Sequence, residues 1–197
     1  MNISIFDGFE IDCPIITSGE FEGVEFPFVY ANTTVEDNTD IQGFFQSEKY
    51  FENAKEEVAK QFTFKEEVKE VVDQKIKDNI YHDPNDCTTI HIRRGDYVNL
   101  PNHHPTPTGE YYAKASKLAA TKHFMVFSDD IKYCKQVFRD APNAHYSEED
   151  NPFSALYHMS LCKNNIICNS SFGWWGAWLG EVAFPDKERI IVAPTKW

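Results

Sequence analysis

The sequence predicts an α/β fold built on a parallel sheet, and three observations lead there. From Cys87 onward short strand-like runs alternate with amphipathic stretches. Those stretches have helical lengths of roughly 10–15 residues, which suits crossovers between parallel strands. The run Cys87–Ile92 is β-branched and apolar almost throughout, the pattern of a strand covered on both faces.

In chain order, Asn2–Phe6, Ile11–Thr17 and Glu25–Tyr30 read as short strands punctuated by glycine and proline. Asn32–Asp40 is polar and reads as a loop. A helix is expected from Ser47 to about Gln61, with Phe51, Ala54, Val58 and Phe62 on one face. A second spans about Phe64–Ile80, with Val68, Val71, Val72, Ile76 and Ile80 as its stripe and Asp73 able to pair with Lys77. After the turn Tyr81–Asp86 come strand Cys87–Arg93, helix Thr108–Thr121 and strand His123–Ser128. Tyr112, Ala115, Leu118 and Ala119 face inward on that helix. Helix Asp130–Arg139 follows, carrying Ile131, Cys134, Val137 and Phe138, then a short strand Ala144–Tyr146. Helix Pro152–Cys162 has proline in its first turn. Strand Asn165–Asn169, helix Ser170–Phe184 and strand Arg189–Ala193 complete the series.

Composition bounds the function. The chain has 197 residues, 42% hydrophobic and 15% aromatic, enough for a substantial core. A net charge of −12 argues against a nucleic-acid partner. Residues 1–85 hold 19 acidic and 7 basic side chains, while residues 86–197 hold 12 of each. An anionic ligand therefore suits the second part. Five cysteines without a CxxC pair argue against a disulfide framework or a zinc site and for buried free thiols. No run approaches the roughly 18–20 apolar residues of a membrane span, and the N-terminus has no signal-peptide pattern. The expected location is cytoplasmic, with peripheral membrane association left open.

Three strand ends carry the chemistry. His91-Ile92-Arg93-Arg94-Gly95-Asp96-Tyr97 places two guanidiniums at the carboxyl end of a strand, the edge where open α/β sheets bind ligands. Side-chain alternation sends Arg93 and Arg94 to opposite sides. One can reach an anion while the other pairs within the protein, with Asp96 a candidate partner. Phe127-Ser128-Asp129-Asp130 leads from strand to helix. One acidic residue there can cap the helix while the other faces the cleft, although capping alone would also explain the segment. Asn169-Ser170-Ser171-Phe172-Gly173-Trp174-Trp175-Gly176 turns sharply into a helix whose first N–H groups suit a phosphate. Ser170 or Ser171 can cap it. Trp175, Trp178, Leu179 and Val182 share the core face, leaving Trp174 for the cleft. Asn102-His103-His104-Pro105 reads as a surface loop rather than a metal site, and no dinucleotide or P-loop glycine motif is present.

Together these stretches resemble glycosyltransferase family 11, the α-1,2-fucosyltransferases. His91–Tyr97 is similar to the family's HxRRxDY motif, Phe127–Asp130 to its FSDD segment, and Ser170–Leu179 to its SSFxWWGAWL segment. Gly43–Phe51 and Ile191–Pro194 with Trp197 are similar to further family stretches, so the resemblance runs from about residue 43 to the end. It implies a GT-B-like fold, with a Rossmann-type donor domain at 86–197 and a reduced N-terminal α/β, acceptor-side part at 1–85. It also implies GDP-fucose as donor substrate, no metal or other cofactor, and inverting transfer to a galactose-containing glycan. By the same resemblance Arg93 contacts the donor phosphates, His91 and Asp129 lie near the guanosine, and Ser170, Ser171 and Phe172 lie by the pyrophosphate. Ser128, Arg94 and Trp174 complete the expected donor site, and Arg93 with Asp96 the catalytic pair. The base for the acceptor hydroxyl is open among Asp96, Glu110, His103 and His104. The family's glycine-rich G-x-G-N-Q segment has no counterpart, since Gly8, Gly19 and Gly23 do not form it. A sugar-nucleotide or glycan-binding module without turnover is the competing expectation.

Overall fold

The computed structural model describes residues 4–12, 22–27, 30–32, 34–36 and 39–196. The chain forms two compact units, Met1–Thr63 and Phe64–Trp197. The expected strand Ile11–Thr17 and the residues Cys13 and Trp197 fall largely or wholly outside the described residues.

In the first unit, strands β1 (Glu22–Glu25) and β2 (Thr39–Gln42) pair in parallel. β2 occupies the end of the stretch expected to be loop. Where a strand was expected near the start, Ser4 and Asp7 form a reciprocal capping box that winds Ile5–Asp7 into a 3-10 turn. Phe26, Phe45 and Tyr50 pack with ring centroids 5.2–5.9 Å apart, which gives the aromatic Gly43–Phe51 stretch its use. The helix expected over 47–61 begins as two 3-10 turns and becomes α-helical only in α1 (Lys55–Gln61).

The second unit starts with α2 (Glu66–Lys77). Five parallel strands follow: β3 (Cys87–Ile92), β4 (His123–Ser128), β5 (Ala144–Tyr146), β6 (Asn164–Ile166) and β7 (Ile191–Val192). The helices between them are α3 (Gly109–Leu118), α4 (Ile131–Val137), α5 (Pro152–Leu161) and α6 (Ser171–Ala183). Spatial order is β5-β4-β3-β6-β7, the order of a Rossmann half, so the chain reverses direction across the sheet between β3 and β6. α2 packs on α5 through its Val68–Val72 stripe, so it belongs with the sheet. The two compact units meet at Thr63/Phe64.

Strand period two separates the core into two faces. Ile90 and Ile92 of β3 meet Val126, Cys134, the α3 residues Tyr112 and Ala115, and Ala119 just past the end of α3. Met125 and Phe127 meet Ala155 and Met159 of α5, with Tyr81 beside them. Val71, Ile80, Leu118 and Val137 are exposed, contrary to the stripes drawn from sequence, because the inward arcs are narrower and the helices end near them. Asp73 accepts from the Tyr157 hydroxyl at 3.2 Å instead of pairing with Lys77. Among the described residues, no helix is long and apolar enough to cross a membrane.

Candidate functional site

The carboxyl ends of β3, β4 and β6 meet at one cleft of about 620 Å³. β3 and β6 flank the reversal point, the crevice where open α/β sheets bind ligands. His91, Arg93, Asp96, Ser128, Asp129, Ser170, Ser171 and Phe172 all line it. Arg94 and Trp174 do not. Strand alternation turns Arg94 to the α4 side, where its guanidinium lies 3.5 Å from the Tyr133 ring centroid and donates to Asp130 Oδ2 at 3.2 Å. Trp174 instead stacks with Trp178 at 6.1 Å and meets Trp175 edge-on at 5.1 Å.

Arg93 lies between two carboxylates. Nη2 donates to Asp96 Oδ1 at 2.5 Å and Nη1 pairs with Asp129 Oδ2 at 2.9 Å. Asp96 is thus the partner of Arg93, not of Arg94, because it leaves the turn on the cleft side. The hydrogen bond from Arg93 holds the Asp96 pKa below the usual carboxylate value. Asp129 Oδ1 also accepts from the Arg94 backbone N–H at 2.9 Å. A Cβ on Gly95 would sit 2.5 Å from Asp129 Oδ2, so this turn admits glycine for lack of space. The two aspartates divide their work. Asp130 caps α4 by accepting from Tyr133 N–H at 3.0 Å, while Asp129 faces the cleft.

His91 is buried beneath the cleft and packs 5.5 Å from the Phe172 ring. Burial, with the Arg93 charge adding, pushes its pKa down to about 4, so the imidazole is neutral near pH 7. Burial pushes the Cys168 thiol up to about 11, so it keeps its proton. Cys168 Sγ lies 3.4 Å from His91 Nδ1. Either partner can donate in this thiol–imidazole contact, depending on the imidazole tautomer. Gly173 makes this possible, since a Cβ there would overlap His91 Nδ1.

The start of α6 closes the site. Ser170 is its N-cap residue by backbone geometry but makes no side-chain cap hydrogen bond. Thr108, Asp130 and Asn151 do cap α3, α4 and α5. The first turn of α6 therefore has no side-chain acceptor from Ser170, and with Ser170, Ser171 and Phe172 on the cleft wall its N–H groups suit an anion. The sequence reading missed the far wall, Ser147, Glu149, Asp150 and Pro152, which follows β5. The Glu149 side chain is buried there and ion-paired with Lys75 at 3.0 Å. Of the four base candidates, Asp96 and His104 line the cleft; His104 stacks on Tyr97 at 4.2 Å. Glu110 pairs with Lys114 on the surface.

The five-stranded parallel sheet in Rossmann order, covered by helices, is a GT-B-like α/β fold. The chain belongs to glycosyl transferase family 11, whose sequence model matches residues 30–192. It is 32% identical to an α-1,2-colitosyltransferase of Escherichia coli over 177 residues, covering 84% of this chain and 58% of that protein. To the O-antigen biosynthesis glycosyltransferase WbnK of Escherichia coli it is 41% identical over 120 residues, 56% of this chain and 38% of that protein. Human galactoside α-(1,2)-fucosyltransferase 1 is 25% identical over 175 residues, 77% of this chain and 48% of its own length. Among solved structures, POFUT1 in complex with GDP-fucose superposes with a TM-score of 0.53 at 16% identity, covering 70% of this chain and 48% of that one. The α-1,6-fucosyltransferase NodZ soaked with GDP-fucose gives 0.51 at 14% identity, covering 76% and 54%. These structural likenesses establish the fold. The chain spans between about two fifths and three fifths of the length of these curated relatives.

Proposed function

We propose that this chain binds GDP-fucose and serves the metal-independent, inverting transfer of fucose to a galactoside hydroxyl, forming an α-1,2 linkage. One observation carries this reading: Arg93, His91 and the first turn of α6 converge on a single cleft at the sheet's reversal point. The names of the relatives support the linkage, and the two solved folds were determined with GDP-fucose present.

In such a transfer the acceptor oxygen attacks the sugar's anomeric carbon. The bond from that carbon to the β-phosphate oxygen breaks, and negative charge grows on the departing GDP. Arg93 and the α6 N–H groups are the fixed donors placed to absorb it. The acceptor proton needs a base. Asp96 is engaged by Arg93 and weakened as a base, which favours a role in holding Arg93 and leaves His104 as the base candidate on the cleft wall. Asp129, Glu149 and Asp150 offer acceptors for the guanine N1–H, its amino group and the ribose hydroxyls. The partners are GDP-fucose and a galactose-containing glycan.

Donor binding without turnover is the second reading, favoured by Asp96, the carboxylate beside the arginine motif, being held by Arg93. Calorimetric titration with GDP-fucose, GDP and UDP tests both. Guanine-selective binding that disappears in Arg93→Ala is the expected result, and no binding to any of the three nucleotides would overturn the proposal. Mass spectrometry of a β-galactoside incubated with GDP-fucose then separates transfer from binding alone.

A further inference from the structure

At the amino-terminal edge of the same sheet, three histidines from distant parts of the chain come together. His82 precedes β3, His123 opens β4, and His145 lies within β5. One ring nitrogen of each lies within 4.8 Å of the others, and all three side chains are half-buried. His123 Nδ1 is 3.2 Å from His145 Nε2. Register explains the meeting: His145 pairs with Met125, two residues along β4 from His123 on the same face.

We propose that His82, His123 and His145 form a binding site for a divalent cation of the zinc class, clipping the turn ahead of β3 to strands β4 and β5. The chemistry of the donor set favours it. Three neutral imidazoles select late first-row divalent metals over magnesium or calcium. With metal–nitrogen bonds of about 2.0–2.1 Å, tetrahedral geometry puts ligand nitrogens about 3.4 Å apart, close to the His123–His145 separation. His82 stacks face to face on His123, with centroids 3.7 Å apart, so joining the site requires it to tilt out of that stack. His82 lies just ahead of a 3-10 turn rather than in a strand, which leaves it the most adjustable of the three. Burial and neighbouring imidazoles lower the pKa values of His82 and His145, keeping lone pairs available near neutrality. Asp86, ion-paired to Lys122 at 2.6 Å, is near enough for its charge to act on His123, and Lys122 partly offsets that charge.

The site is remote from the reaction cleft. His123 and Ser128 stand at opposite ends of β4, about 16 Å apart along the strand. The role inferred is therefore structural, and stability should rise by mass action when the metal is present.

The test uses the full chain without a histidine tag, stripped with EDTA and titrated with Zn²⁺ by calorimetry and Co²⁺ by absorbance. Expected are one saturable site per chain, a thermal midpoint that rises with Zn²⁺ and returns with EDTA, and a low-coordinate Co²⁺ spectrum lacking the near-ultraviolet band of thiolate ligation. His82→Ala and His145→Ala should each weaken binding more than about 100-fold, since even outer partners of metal ligands are worth about 10–100-fold. His103→Ala should leave it unchanged. Absence of a saturable site in the unmutated chain, a thiolate-type spectrum, or full affinity in both histidine variants would overturn the proposal. The unmutated chain alone therefore decides if the variants fail to fold.

Discussion

Asp129 Oδ2 lies 2.9 Å from Arg93 Nη1, so the end of β4 grips the side chain that leaves the end of β3. Its other oxygen holds the Arg94 backbone N–H. One carboxylate thus fixes both the Arg93 side chain and the turn after it. With Asp96 on its other side, Arg93 is held at the cleft wall before any ligand arrives, which lowers the ordering cost of binding an anion.

The two arginines should respond differently to removal. Arg93→Ala should abolish measurable GDP affinity, lower any transfer rate by roughly 10²–10³, and leave Asp96 and Asp129 to repel the phosphates. Its stability cost should be small, because both ion pairs are partly solvent-exposed. Arg94→Ala should cost about 1–2 kcal/mol by loss of the Tyr133 stack and the Asp130 bond. Its effect on GDP affinity should stay below about tenfold. Parallel urea titrations and GDP calorimetry check this; the opposite pairing of effects would reverse the assigned roles.

Gly173→Ala should damage site and fold together. A Cβ at Gly173 overlaps His91 Nδ1, so α6 must withdraw or His91 must move. Overpacking of this kind costs about 1–3 kcal/mol. The same shift moves the first-turn N–H groups of α6, so GDP affinity should fall more than stability alone accounts for. Affinity measured well below the variant's melting temperature decides it. Unchanged GDP affinity would mean that His91 and α6 are not jointly positioned.

How much of this was legible in the sequence follows from range. The separation of Arg93 from Arg94 is a period-two property of one strand and could be read locally. The β4 bounds are local too. Which acid each arginine meets depends on the parallel register of β3 with β4, where His91 pairs with Phe127 and Ile92 with Ser128, and this cannot be read from either segment alone. Glu149 was invisible as a wall residue because it follows a three-residue strand in an acidic loop that reads as solvated. Trp174 was misplaced because an exposed helix position and an aromatic cluster on the same helix look alike in a helical wheel. The three histidines at 82, 123 and 145 have no spacing signal, and only the β4–β5 pairing brings the last two together.

Acid should destabilise the fold through His158 in a predictable window. Its ring is fully buried against Tyr81 and Phe127, neither ring nitrogen has a hydrogen-bond partner, and burial pushes its pKa down to about 4. An unfolded histidine titrates near 6.5. Above about pH 6.5 both states are neutral and this group adds no pH dependence. As pH falls from about 6.5 to about 4, the unfolded chain gains a proton that the folded one excludes, so stability drops. Below about 4 both bind it and the loss levels off. The whole window is worth about 3 kcal/mol. His91, with its pKa also near 4, adds a similar contribution. His158→Phe keeps an aromatic ring among aromatic neighbours and deletes the titration. The stability difference between the variant and the unmutated chain should therefore move in the variant's favour on acidification, as followed by urea unfolding at several pH values. A difference that stays constant across the window would sink the assignment.

Arg189 should be worth more to stability than its surface-like sequence context suggests. Its Nη1 donates to Cys162 O at 2.6 Å and Asn165 Oδ1 at 3.0 Å. Its Nη2 donates to Ser160 O at 3.2 Å and Gly180 O at 3.3 Å. The guanidinium thereby caps the carboxyl end of α5, where a cation also suits the helix dipole, and ties it to β6 and α6. Gly180 leaves the room this requires, since a Cβ there would lie 2.6 Å from Arg189 Nη1. Arg189→Ala should cost about 3 kcal/mol or more, since several buried acceptors lose a charged donor at once. Arg189→Lys keeps the charge but cannot span the fork, so its loss should be intermediate. GDP affinity should change only as far as the folded fraction changes, because Arg189 is not part of the cleft wall. Urea unfolding of the two variants measures the order; a loss below about 1 kcal/mol for Arg189→Ala would show that water replaces the guanidinium at these carbonyls.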